Sequence, residues 1–215
     1  TYGTSDHLLI KDGLAGSIGQ YRFANGETLS YSELIGRLVD TPMGAASGGR
    51  RFWFGGSLGD YLTATDGHTT FSGGRGDDTL IGYGGRNTYL YSRGDGTDRI
   101  IDTSAKTDAD GTALPNTLRF GAGITADDIR LAIGSLKLLV GSNPNDAIHI
   151  EGFDPDDALG TKKPPAIDRF EFADGTALSY GELLARGFDL TGTTGNDTLT
   201  GTSVNDRLDG GAGND

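Results

Sequence analysis

Between residues 55 and 99 a large apolar side chain returns at every ninth position, and the residues between are small or polar. Cut from Gly55, the chain reads GGSLGDYLT, ATDGHTTFS, GGRGDDTLI, GYGGRNTYL and YSRGDGTDR. Place eight holds Leu62, Phe71, Leu80 and Tyr89; the fifth nine breaks step and puts Asp98 there. A second array, GTTGNDTLT, GTSVNDRLD and GGAGND, sets Leu199 and Leu208 at the same place. Nine residues match neither the helical period nor the strand period. They predict a coil instead: six residues turn, three extend, and the one large side chain of each strand faces inward. Glycine serves the tightest turn positions, where φ must be positive. Two nines make one coil with a strand on each side, so the strands stack in parallel and turns eighteen residues apart lie over one another.

Between the arrays the pattern changes to short alternation of apolar and polar residues. NTLRFGAGI (116–124), DIRLAI (128–133), LKLLVG (136–141), DAIHIEG (146–152) and IDRFEFADG (167–175) predict strands bounded by Gly, Asn, Asp or Pro. A longer repeat surrounds them. IGQYRFANGETLSYSELIGRL at 18–38 aligns without gaps to IDRFEFADGTALSYGELLARG at 167–187, an offset of 149. Upstream the offset is 140, which leaves nine extra residues in the later copy around Asp154–Ala166. Each copy closes on the S-x-x-E spacing of a capping box, Ser30 with Glu33 and Ser179 with Glu182, predicting a short helix with Leu183 and Leu184 inward. The expected organisation is the end of a β-rich module at 1–45, a repeat array at 46–104, a β-rich domain at 105–190 and the start of a second array at 191–215. The fold class expected is all-β, with short helices.

Composition sharpens this picture. The 215 residues include 37 Gly and no Cys and carry a net charge of −12; the acids are 25 Asp against 5 Glu. Short Asp side chains suit turns and oxygen-lined metal sites. The acidity disfavours nucleic acid as a partner. No apolar run approaches the length of a membrane span, and thiolate metal sites and disulfides are excluded. A start without a signal peptide and a stop inside a motif suggest a segment of a longer protein.

The stacked turns would bring Asp carboxylates and backbone carbonyls together in an all-oxygen cage that suits Ca²⁺. Asp60 and Asp78 would face each other, with the carbonyls of Gly56, Gly74 and Gly76 as co-ligands and Asp95 or Asp98 closing the next site. On the opposite side Thr69 and Asn87 bring no charge, so that side should bind calcium weakly or not at all. In the second array Asp197 pairs with Asp215, and Asp206 is the place-six acid between them.

Other motifs have plainer readings. GGSLG at 55–59 satisfies the nucleophile-elbow pattern but falls inside the nine-residue phase. The triplets Arg75-Gly76-Asp77 and Arg93-Gly94-Asp95 arise from the repeat itself, and DADG at 108–111 lacks the remaining ligands of a helix-loop-helix calcium loop. His7, His68 and His149 show no ligand spacing. Trp53, flanked by Phe52 and Phe54, suggests an aromatic plug at the open end of the coil.

The nines resemble the repeats-in-toxin, or haemolysin-type, calcium-binding nonapeptides of Gram-negative type I secreted proteins; GGRGDDTLI fits G-G-x-G-x-D-x-U-x at every place. The resemblance implies a parallel β-roll, calcium-dependent folding, and export by the type I secretion machinery to the cell surface or beyond. Residues 118–185 resemble the haemolysin-type calcium-binding-protein-related region found between such repeats. Together these lead to an expected function: a non-enzymatic, calcium-folded spacer of a large adhesin, surface-layer or toxin-like protein. A module for self-association or carbohydrate binding, or the export appendage of an enzyme, stand as alternatives.

Overall fold

The computed structural model describes residues 20–22, 26, 28–30, 43–47, 50–64, 68–83, 85–103, 107 and 110–215. Among them the chain is almost entirely strand and turn, as the all-β expectation requires. The strands are β1 (Gln20–Arg22), β2 (Thr28–Ser30), β3 (Met43–Ser47), β4 (Arg50–Phe54), β5 (Tyr61–Ala64), β6 (His68–Ser72), β7 (Thr79–Gly82), β8 (Thr88–Tyr91) and β9 (Thr97–Asp102). They continue with β10 (Thr117–Phe120), β11 (Ile129–Ala132), β12 (Leu136–Val140), β13 (Ala147–Ile150), β14 (Arg169–Glu171), β15 (Ala177–Ser179), β16 (Phe188–Thr191) and β17 (Asp206–Asp209).

Successive strands of the first array fall alternately into two sheets. One sheet runs β15-β14-β10-β8-β6-β4-β3, the other β17-β16-β11-β12-β13-β9-β7-β5. From β4 to β9 every pairing among these strands is parallel and eighteen or twenty residues apart: Phe71 lies beside Tyr89, Leu62 beside Leu80, Leu80 beside Ile100; β3 joins β4 antiparallel at the edge. Both sheets then run on into the strands that follow. β8 is joined by β10 and β9 by β13, again in parallel. The second sheet reverses direction only across β11-β12-β13, where the chain meanders antiparallel.

The place-eight residues build the core as two facing columns. The first sheet stacks Trp53, Phe71, Tyr89, Leu118, Phe170 and Leu178 in register. The Phe71 and Tyr89 rings are stacked with centroids 5.1 Å apart. The second sheet stacks Leu62, Leu80, Ile100, Ile150 and Leu136. Trp53 is therefore one more rung of the inner column and packs against the core.

The long sequence repeat is also structural. β1 and β2 pair Gln20 with Ser30, and β14 and β15 pair Arg169 with Ser179: the same antiparallel hairpin 149 residues on. The predicted helix forms as α1 (Tyr180–Leu184), with Leu183 and Leu184 buried. Its capping box is complete: the Ser179 N–H donates to Glu182 Oε2 at 2.7 Å and the Glu182 N–H to Ser179 Oγ at 3.3 Å. Ser30 ends β2, and the helix expected after it, with Glu33, falls on residues outside the described ones. The nine extra residues form a strap that reaches the second array: the Ser203 N–H donates to the Pro155 carbonyl at 2.8 Å, and the Ala158 N–H to Ser203 Oγ at 2.9 Å.

Candidate metal centre

Each coil has two turns, and they line two flanks of the stack. On one flank the chain passes from the first sheet to the second, through residues 55–60, 73–78 and 92–96. Asp60 and Asp78 end the first two turns, and Asp98 is the second residue of β9. Asp60 Oδ2 accepts the Gly56 N–H at 2.6 Å, which holds its own turn closed. Its backbone N–H donates to Asp78 Oδ1 at 2.7 Å, one coil on. The Asp78 N–H in turn donates to Asp98 Oδ1 at 3.2 Å. Where place six is aspartate, place one is glycine because the carboxylate folds back over it: a Cβ at Gly55, Gly201 or Gly210 would fall 2.6 Å from an oxygen of Asp60, Asp206 or Asp215. Gly74 and Gly76 adopt φ of +91° and +116° and lie on the backbone of Gly56 and Leu58 in the turn before.

The sequence left Asp95 and Asp98 as alternatives, and the structure separates them. At β9 the register slips by two residues: Ser72 pairs with Leu90, eighteen residues on, but Thr79 with Arg99, twenty residues on. Asp98, not Gly96, therefore continues the series of Asp60 and Asp78. Asp95 caps the same turn by accepting the Ser92 N–H at 2.7 Å. Asp146, which the nine-residue pattern does not reach, is buried beside it and accepts the Gly94 N–H at 3.1 Å.

Asp78, Asp95, Asp98 and Asp146 are buried, and Arg75 offsets the charge of Asp95 in part. Asp78 is 1% exposed and Asp98 2%, and Asp78 Oδ2 is a buried oxygen with no hydrogen-bond partner. Burial is the largest influence on all three shifted carboxyls. It pushes Asp78 up to about 7, with Asp60 and Asp77 adding repulsion. Asp95 rises to about 7, and Asp98 to about 9 with Asp78 as its main repulsive neighbour. Tyr91 is raised too, by burial and then by Asp146, Asp98 and Asp95. A buried carboxylate of this kind is stabilised by a cation or remains protonated. Among the described residues no group of three or more His, Asp or Glu gathers to hold an ion. The oxygen set is instead two carboxylates per step and the backbone carbonyls of tight turns. The Gly56 carbonyl accepts the Arg75 N–H at 3.1 Å and keeps a second lone pair. This all-oxygen donor set fits a hard cation such as Ca²⁺.

The second flank carries the return turns, and in the first array its place-six residues, Thr69 and Asn87, bring no charge. The Thr69 N–H donates to Asn87 Oδ1 at 3.2 Å, the Asn87 N–H to Asn116 Oδ1 at 3.0 Å, and the Asn116 N–H to Asp168 Oδ2 at 2.8 Å. The geometry repeats that of the aspartates, with amides in their place. Asn116 and Asp168 were readable as rungs, since N-T-L and D-R-F repeat the N-T-Y of Asn87-Thr88-Tyr89. Their separations of 29 and 52 residues hide them from a nine-residue search.

In the second array the charged pair changes flank. Asp197 stands on the return side, accepts the Thr193 N–H at 2.7 Å, and donates its own N–H to Asp215 Oδ1 at 2.8 Å. Asp206 accepts the Thr202 N–H at 2.7 Å, but its partner across the sheet is Phe188 and not an acid.

The remaining motifs fall into place around this frame. Ser57 lies in the turn between two strands, β4 and β5. His68 Nδ1 accepts the Arg86 N–H at 2.9 Å, His149 shares a 2.8 Å hydrogen bond with Ser135, and His7 lies outside the described residues. In the two R-G-D triplets, Asp77 accepts the Thr97 N–H at 2.9 Å and Arg93 pairs with Asp128 at 2.8 Å. Among the described residues no helix is long and apolar enough to cross a membrane.

Compared with known families, the chain matches the model of the RTX calcium-binding nonapeptide repeat over residues 54–89, 63–99 and 190–215. No curated protein matches it.

Proposed function

We propose that this RTX repeat protein is a calcium-folded structural module of a secreted bacterial protein. The repeats bind Ca²⁺ as a family, and the matched residues contain the stacked turns described above. The observation that carries the reading is Asp78 Oδ2, a buried carboxylate oxygen without a partner between two further carboxylates of the same flank. In the first array Asp60, Asp78 and Asp98 would hold ions, together with carbonyls of Gly56, Gly74 and Gly76; Asp95 lines the last step. In the second array Asp197 and Asp215 form the corresponding pair, and Asp206 offers one carboxylate on the other flank. Bound there, a divalent cation neutralises stacked carboxylates that otherwise repel.

The two arrays are in this reading parts of a parallel β-roll. The meandering strands between them form its permanent core. The whole is a spacer or display element of a longer adhesin, surface-layer or toxin-like chain, exported unfolded through a type I channel. The non-enzymatic reading rests on the family, which is a structural, calcium-binding one. Extracellular sites commonly have Kd on the order of 10⁻⁴–10⁻³ M, so they fill outside the cell and stay empty within.

Calcium titration followed by circular dichroism tests the proposal. Millimolar Ca²⁺ should increase β-structure, Mg²⁺ should not, and Asp78→Ala should raise the calcium midpoint. A spectrum indifferent to chelator and to both ions would overturn it.

A further inference from the structure

We propose that the flank built on Thr69, Asn87, Asn116 and Asp168 folds without metal, its side-chain amides standing where the first flank needs a cation. The inference rests on the calcium reading of the first flank. Both flanks use one device: a place-six oxygen accepts the backbone N–H of the place-six residue one coil before. The distances are alike, 2.7 and 3.2 Å on the aspartate flank against 3.2, 3.0 and 2.8 Å on the amide flank. The difference lies in the second atom of each side chain. Aspartate has another oxygen, and in Asp78 that oxygen is buried and unpartnered. Asparagine has an N–H₂ group, a donor with the partial positive charge the site lacks.

Asn87 Nδ2 donates to Asp102 Oδ2 at 2.9 Å, and the Tyr89 hydroxyl donates to that same oxygen at 2.6 Å. Asn116 Nδ2 donates to the Ala166 carbonyl at 2.9 Å. Each amide thus accepts a backbone N–H through its oxygen and donates through its nitrogen to an oxygen within the protein, so its second atom is satisfied without a cation. Asp168 ends the row as an acceptor for the Asn116 N–H and supports both neighbouring strands, β10 and β14. Amide rows of this kind are also what lends stacked parallel strands their cohesion in cross-β assemblies. The first array is therefore a one-sided switch. Its aspartate turns open when calcium is removed, while its amide turns keep the strands in register and ready to refold.

Backbone amide exchange on the whole chain, resolved by residue with Ca²⁺ and with chelator, tests this. Removing calcium should lower protection of the Asp60 and Asp78 amides about a hundredfold, the factor that one site supplies at a hundredfold excess over Kd. The Thr69, Asn87 and Asn116 amides should stay within about tenfold of their calcium-bound protection, a difference of about 1.4 kcal/mol. Loss of protection on both flanks together would overturn the inference and leave calcium-driven folding intact. No loss on either flank would overturn the calcium reading and the inference with it. Asn87→Asp supplies a second readout, because it sets a carboxylate against Asp102. That variant should lose the protection of Thr69 in chelator and regain it in calcium, binding one ion more than the parent by equilibrium dialysis. An Asn87→Asp chain as protected in chelator as its parent would contradict the amide's role.

Discussion

An aspartate at place six has two oxygens. In Asp78 one reaches the coil before and accepts the Asp60 N–H, and the other is buried without a partner. Asp78 shows the cost of leaving it alone: burial and its acidic neighbours push the carboxyl up to about 7, and Asp98 climbs to about 9, from an ordinary value of 3.8. The sign of the resulting pH dependence follows. Without metal, the folded chain keeps protons on Asp78, Asp95 and Asp98 that the unfolded chain has already released. Stability of the metal-free chain therefore falls as pH rises from about 4 through about 9, and acid partly substitutes for calcium. In chelator the melting temperature should be higher at pH 5 than at pH 8. With calcium present, affinity should instead weaken as pH falls from 9 to 6, because protons compete for the same oxygens. A melting temperature in chelator that rises between pH 5 and pH 8 would show that these carboxyls are ionised and compensated by other groups.

At the scale of elements, the periodic sequence made the strands legible and the pairing less so. The nines place β5 to β8 correctly, and the alternating segments place β10 to β14. The capping box at Ser179 and Glu182 starts α1 where the spacing says it should. What the spacing cannot supply is register across long connections. Asp98 pairs with Ile148 fifty residues on, and Leu118 with Phe170 fifty-two residues on. Those matches are set by side-chain packing between distant segments, which leaves no local period. Departures from the repeat have the same kind of cause. The second array carries Ser203 and Val204 at places three and four, where the turn pattern favours glycine or no fixed residue. Ser203 receives and returns hydrogen bonds with the strap at Pro155 and Ala158, and Val204 packs on the core. Arg207 adds hydrogen bonds to Asp189 and to the carbonyls of Arg186 and Gly187, fixing β17 to β16. Ser203→Ala removes one of the strap's links, about 1 kcal/mol for a typical hydrogen bond. Exchange at 203–209 should speed about fivefold to tenfold in that variant while 129–150 is unchanged. Equal exchange in variant and parent would mean that the strap does not hold the second array.

Across the whole molecule one row of the second sheet passes from acid to apolar side chains and back to acid. From Asp78 and Asp98 the row continues through Ile148, Leu138, Leu131 and Phe188, and then returns to acid at Asp206. The positions that hold carboxylates in the arrays hold buried apolar side chains between them, all at the same place on one sheet. A buried Leu, Ile or Phe contributes about 1.5–3 kcal/mol without any ion, whereas a buried carboxylate contributes only once its charge is met. In the calcium reading the stack has a metal-independent middle and metal-dependent ends, although both share the same two sheets. Chelation should therefore produce partial loss rather than collapse. Trp53 is the single tryptophan and the inner rung next to the Asp60 turn, so it reports on the first array alone. Its fluorescence should shift to the red in chelator and return with Ca²⁺ but not Mg²⁺. The radius of gyration should grow by less than full unfolding requires, and amides of β10 to β14 should stay protected throughout. If chelator sent the far-ultraviolet spectrum to that of a coil and freed the amides at 129–150 as well, the apolar row would not be an independent core. The two arrays and the middle would then fold as one calcium-dependent unit.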